Sequence, residues 1–117
     1  MRKTNPAFLN GVPEMLILDL LARRPMYGYE LVQAIRTASG GALGFGEGCV
    51  YPILHRLEEQ GFLESSRQSV GGRQRFVYQV TAKGTAQHAE TIGAWQQVVA
   101  AINVALAGGE RGRAAVA

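Results

Sequence analysis

The side chains in this sequence with the means to do chemistry are mostly cations. Arg67, Arg73, Arg75 and Lys83 fall in a stretch, Ser65 to Ala89, that holds no acidic residue. Cations gathered without counter-charges suit a polyanionic partner such as nucleic acid. A second group lies just upstream, where Cys49, Tyr51, His55 and Arg56 alternate with Val50, Ile53, Leu54 and Leu57. The apolar four recur at i, i+3, i+4 and i+7, which marks the buried stripe of a helix and turns the polar set outward. Tyr51 lies off that stripe and reads as a contact residue. His55 and Arg56 have two readings each, a contact to a base or an ordinary helix surface in which Arg56 pairs with Glu59 or Gln60. Glu58 and Glu59 repel phosphate, so at least one must turn back into the protein.

Other chemistries find little support. Cys49 is the single cysteine, and the two histidines, His55 and His88, have no ligand-like neighbours. No nucleophile with a base, carboxylate pair or metal cluster can be assembled, so an enzyme, a cofactor and a metal are not expected. Gly44-x-Gly46-x-Gly48 has neither the preceding strand nor the Gly-Lys-Ser/Thr ending of a nucleotide site. Cys49 falls in the first turn of its helix, where the dipole lowers a thiol pKa. That position suits a redox-sensitive thiol or, more simply, a small residue at a tight surface.

The elements that must position these groups can be read from breakers and periodicity. The 117 residues suffice for one domain, and 47% apolar against 18% charged supports a core. The apolar stretches Met15 to Leu18 and Val98 to Ile102 fall far short of the ~20 residues that span a bilayer. Asn5, Pro6, Asn10 and Gly11 interrupt any leader-like apolar run, and a cytoplasmic location is expected. Residues 1–11 read as a flexible arm. A first helix, apolar on most sides and so central to the core, begins at Val12 with Pro13 in its first turn and is stopped by Pro25. A second runs from Gly28 to Ala38. A glycine-rich, hinge-like connection over 39–48 leads to the third, from Glu47 to Gln60, which Gly61 ends. Two strands follow, Phe62 to Arg67 and Arg75 to Val80, with Gln68 to Gln74 as a basic, glycine-bearing loop. Thr81 caps a last helix from Ala82 to about Ala107, and 109–117 read as a disordered tail.

Three helices followed by a basic hairpin is the order of a winged helix-turn-helix, an α+β fold. The third helix has a slim outer face that can enter a major groove ~12 Å wide, with Arg73 and Arg75 beside it on the wing. The residues themselves resemble the PadR family of transcriptional regulators. The matching strings are Pro25-Met26-Tyr27-Gly28-Tyr29-Glu30-Leu31, Gly48-Cys49-Val50-Tyr51-Pro52-Ile53-Leu54-His55-Arg56-Leu57-Glu58 with Gly61, Gly71-Gly72-Arg73-Gln74-Arg75-Phe76-Val77-Tyr78, and Thr81-Ala82-Lys83-Gly84. All four occur in order, and the resemblance covers roughly Met15 to Ile102. It implies a homodimer joined by C-terminal helices, mostly a repressor on palindromic double-stranded DNA and released by small molecules. Tyr51 and the start of the third helix would face the DNA, with Arg73 and Arg75 as wing. Two positions depart from the pattern: Cys49 replaces the usual threonine or serine, and Gly46 stands near the usual helix cap.

The last helix is nearly chargeless, with Glu90 alone between Gly84 and Gly109. Ile92, Trp95, Val99 and Ile102 are spaced by three and four, a heptad-like seam that one protomer of this size cannot cover. The resemblance to multidrug-binding members implies that Trp95 lines an apolar site for a planar aromatic effector. The plainer reading is dimer core, which the small residues Gly93, Ala94, Ala100 and Ala101 favour. The expected organisation is therefore an arm (1–11), a winged helix (12–80), a dimerisation helix (81–108) and a tail (109–117). The expected partners are double-stranded DNA and a second copy, with no membrane. The competing expectation is a winged-helix protein-interaction module without sequence-specific DNA binding.

Overall fold

The computed structural model describes residues 9–108. The expectations for a mobile arm up to residue 8 and for a tail from 109 lie outside the described residues. Helix α1 covers Val12–Arg23, strand β1 Met26–Tyr27 and helix α2 Gly28–Ala38. Helix α3 follows at Glu47–Glu59, then strands β2 (Leu63–Val70) and β3 (Arg73–Val80), and helix α4 at Ala82–Leu106. The α+β winged-helix expectation holds: three helices pack together, and an antiparallel sheet in the order β1-β3-β2 closes their side.

Helix α1 is central because Ile17, Leu18 and Leu21 bury one side while Val12, Met15 and Leu20 bury others. Gly11 ends the chain's approach to it with φ 88°, a left-handed conformation that glycine adopts at no steric cost. Leu31, Ile35, Val50, Leu54 and Leu63 complete the core. Arg23 and Arg24 leave α1 as charged exits, salt-bridged to Asp19 and Glu30. Glu30 also accepts a hydrogen bond from the Tyr27 amide, which fixes the start of α2. Among the described residues no helix is long and apolar enough to cross a membrane.

Three local expectations need correction. Residues 68–74 are not a loop: the strands extend to Val70 and Arg73, and Gly71-Gly72 alone makes the turn. Both glycines have positive φ, 60° and 80°, and a two-residue turn of that kind matches the twist of paired strands, so the ladder zips to the tip. Polar residues on both faces of this stretch hide the strand from a periodicity argument. Secondly, Met26 and Tyr27 form a third strand, pairing with Tyr78 and Val77. Thirdly, the glycine-rich connection is not a free hinge. Phe45 in its middle is 2% exposed and belongs to the core, so the segment is pinned immediately before α3.

Helix α4 is held by its first turns. The Thr81 hydroxyl accepts from the Gly84 amide and donates to the Gly61 carbonyl, while Lys83 Nζ donates to the Gln60 carbonyl. Gly84 lies so close to the Phe62 carbonyl that no Cβ fits between them. One end of α4 is thus fastened to the corner where α3 gives way to the hairpin. Farther along, α4 runs antiparallel to α1, with His88 Nε2 2.9 Å from Asp19 Oδ1.

Candidate nucleic-acid interface

Helix α3 presents its buried stripe, Val50, Ile53, Leu54 and Leu57, to the core. The ridge opposite is exposed and slim: Gly48, Pro52, His55 and Glu59 follow one another at helical spacing. Pro52 lies inside the helix and has no N–H to give the Gly48 carbonyl. Tyr51, beside this ridge, is half-buried. Its ring fills the space above Gly28, where any Cβ would overlap it. The residue therefore locks α3 against the first turn of α2 as well as bordering the outer face.

Arg56 is not paired along its own helix. It forms an ion pair with Glu14 in the first turn of α1, a partner 42 positions away that helix-surface reasoning has no means of finding. Glu58 does turn back, accepting a hydrogen bond from the Ser65 hydroxyl at 2.8 Å. At Cys49 the surroundings favour the small-residue reading over the reactive thiol. Burial raises its thiol pKa, the Glu14 carboxylate raises it further, and the Arg56 guanidinium opposes only in part. Cys49 is thus a reluctant thiolate.

On the hairpin, pleating puts Phe76 and Tyr78 on one face of β3, with Arg67 and Ser65 directly across the ladder on β2. The Ser65–Tyr78 rung abuts α3 through Glu58. The Arg67–Phe76 rung lies two residues farther out, with the Arg67 guanidinium 5.3 Å from the ring centre. Phe76 is 54% exposed. Arg73 is exposed beside the turn, with no ion pair among the described residues. Arg75 differs from it: its guanidinium stacks 4.4 Å from the centre of the Tyr27 ring, and its Nε is buried without an acceptor. In sequence the two arginines are equivalent wing contacts. The structure separates a free cation from one braced on an aromatic ring, a contact worth ~0.5–2 kcal/mol.

Residues 17–90 match the model of the transcriptional regulator PadR-like family. The chain belongs to that family. It is 40% identical over 79 residues to a transcriptional regulator of Mycobacterium tuberculosis, covering 68% of this chain and 71% of that one. With the transcriptional regulator YqjI of Escherichia coli it shares 35% identity over 68 residues, 58% of this chain, and spans about a third (32%) of that protein's length. Among solved structures, a PadR-like transcriptional regulator of Bacillus cereus superposes with a TM-score of 0.75 at 29% identity, covering 86% of this chain and 97% of that one. This PadR-like chain is thus a transcriptional regulator carrying a DNA-binding winged helix, and membership in such a family does not point to an enzyme.

The family match ends inside α4, before Trp95. That distal part of the PadR-like chain is where its apolar surface collects. Trp95 is 41% exposed, and Val98, Ile102, Val104 and Leu106 rise to 79% at the end. Ile92 and Val99 are half-buried. Trp95 borders a shallow apolar hollow of about 250 Å³ with Val12 and Met15 of α1 and Thr91, Ala94 and Val98 of α4. Charge is distributed otherwise than the +3 total suggests. Residues 9–108 hold eight basic and eight acidic side chains, so the whole excess belongs to the two ends. What distinguishes the wing is local segregation, not net charge.

Proposed function

We propose that this regulator binds a specific double-stranded operator as a homodimer and acts as a repressor relieved by a planar aromatic effector. The observation carrying the reading is the pairing of two unlike surfaces. A slim exposed helix ridge stands beside an acid-free hairpin face, and a helix end clad in Trp95, Val98, Ile102, Val104 and Leu106 has nothing over it among the described residues. The first surface suits a DNA groove and the second a like surface on a twin. A two-fold pair would set two α3 helices one DNA turn apart, ~34–36 Å, and so favour palindromic sites. His55 and the α3 ridge face base edges, Tyr51 and Cys49 border the backbone, and Arg73 reaches phosphate. Arg56 supports the outer face of α3 through Glu14, and Arg75, stacked on Tyr27, lines the hollow between α3 and the wing. The organisation into a winged helix and a dimerisation helix belongs to the same reading.

Gel retardation across a salt series, on DNA selected from a random pool, tests it together with the mass in solution. Salt-sensitive binding by a dimer to a palindromic site is expected. Absence of retention at low salt would leave a protein-interaction module instead. For the effector, Trp95 fluorescence titrated with a panel of planar aromatic compounds should be quenched by at least one. The hollow beside Trp95 supports that part, since flat apolar walls suit flat apolar ligands.

A further inference from the structure

A strand of DNA has to pass somewhere between a helix lying in one groove and a wing reaching the next. In this molecule the passage is bounded on one side by Tyr51 and His55 of α3 and on the other by Gln74, Arg75, Phe76 and Tyr78 of β3, with Tyr27 and Gly28 also on its wall, around a hollow of about 250 Å³. Arg67 is outside this lining and adjoins it across the ladder from Phe76. Its wing side holds an exposed aromatic ring, Phe76. The hydrocarbon part of that backbone is the deoxyribose. Phe76 offers a flat apolar face at this level, and Arg67 stands over the ring rather than beside an acid, 5.3 Å from its centre. Glu64, the nearest carboxylate on β2, is engaged by the Gln79 amide at the far end of the ladder. Among the described residues no carboxylate forms an ion pair with the Arg67 guanidinium.

We infer that the hollow between α3 and the wing seats one sugar–phosphate unit of the operator, with the deoxyribose packed on Phe76 and the adjoining phosphate held by Arg67. The inference rests on the DNA-binding reading above and deepens it. It gives Phe76 a binding role that its position on a solvent-facing hairpin does not suggest. Stacking on the ring also pre-orders the arginine, so less side-chain freedom is lost when the phosphate arrives.

The test is a salt series of dissociation constants on the selected operator for the wild type, Phe76→Ala, Arg67→Gln and the double variant. Both side chains are exposed, and unchanged thermal melts will establish that each variant is folded. Phe76→Ala is expected to weaken binding about fivefold to tenfold at every salt concentration with the slope unaltered, since an apolar contact releases no counterion. Arg67→Gln is expected to flatten the slope of log K against log salt by about 0.9, one phosphate's worth. In the double variant the losses should fall short of additive, because the ring positions the guanidinium. Unchanged affinity in Phe76→Ala, or an unchanged slope in Arg67→Gln, overturns the inference while wild-type binding leaves the DNA reading intact. If the wild type retains no DNA from the pool, the broader reading fails first.

Discussion

Replacing Gly28 by alanine adds one methyl group at the seam between α2 and α3, and its consequences can be worked from the geometry. The new Cβ would lie 2.7 Å from Cζ and 2.8 Å from the hydroxyl oxygen of Tyr51, with the ring edge closer still. Real carbon contacts do not reach those distances, so the ring or the helix must move. Alanine in place of glycine gains up to ~1 kcal/mol in helix propensity, while overpacking costs ~1–3 kcal/mol. The net expectation is a loss of about 1–2 kcal/mol, a fall in Tm of roughly 5–15 °C for a unit of this size. Thermal or denaturant unfolding reads it directly. The clash is with the ring itself, so Tyr51→Phe should not rescue Gly28→Ala, whereas Tyr51→Ala should recover more than 1 kcal/mol in a double-mutant cycle. A Gly28→Ala variant as stable as the wild type, or strictly additive Tyr51→Ala and Gly28→Ala effects, would refute the reasoning. DNA affinity should fall in parallel, since the displaced ring borders the outer face of α3.

Gly84→Ala should be costlier still, about 3 kcal/mol, because its Cβ meets the Phe62 backbone carbonyl and lies 2.6 Å from a Val80 methyl; an unfolding midpoint within error of wild type would contradict this. Arg73→Gln is expected to flatten the salt dependence of DNA binding by about 0.9 with the Tm unchanged, whereas Arg75→Gln should lower the Tm through the lost Tyr27 stack; the reverse assignment would undo the distinction between the two. Cys49 should alkylate more slowly than a free thiol at neutral pH, and Glu14→Gln should speed the reaction; mass spectrometry of timed maleimide reactions decides both. Burial first, and then the nearby Glu58 carboxylate and Tyr51, raise the Tyr78 pKa. Its neutral form therefore stabilises the fold fully below the ordinary phenol range, and that contribution is lost as pH climbs through the raised value. Tyr78→Phe should flatten the alkaline limb of a Tm-against-pH curve; an identical limb would count against it.

The parts of this molecule legible in its sequence are those with local causes. Pro25, the Ser39-Gly40-Gly41 run, Gly61 and Thr81 punctuate the helices, and the Val50–Leu57 stripe orients α3 without reference to anything distant. What escaped depends on partners far along the chain. A two-residue strand such as Met26–Tyr27 exists only because β3 lies beside it. Phe45 is a lone apolar residue among glycines until the core receives it. Arg56 finds Glu14, and Arg75 finds Tyr27, across separations that no helix or strand period encodes. The hairpin tip was obscured for the opposite reason: its strands are polar on both faces, so only the turn chemistry of Gly71-Gly72 reports that they are strands. The exposed Phe76 reads as ordinary strand material until its rung is placed across the hollow from Tyr51 and His55 of α3.

The fastening of α4 at Gly84 gives the rest of that helix the character of a lever. From Gly84 to Leu106 is about 33 Å at 1.5 Å per residue. A tilt of about 5° at the pivot carries the far end through roughly 3 Å over that length. In the dimer proposed above, joined at those far ends, the same small angle would change how far apart the two α3 ridges stand, and so which spacing between half-sites they fit. The His88–Asp19 contact and the hollow beside Trp95 both lie along the shaft, between pivot and tip. On the proposed reading, an effector bound there would not need to touch the DNA-facing surface to alter its grip.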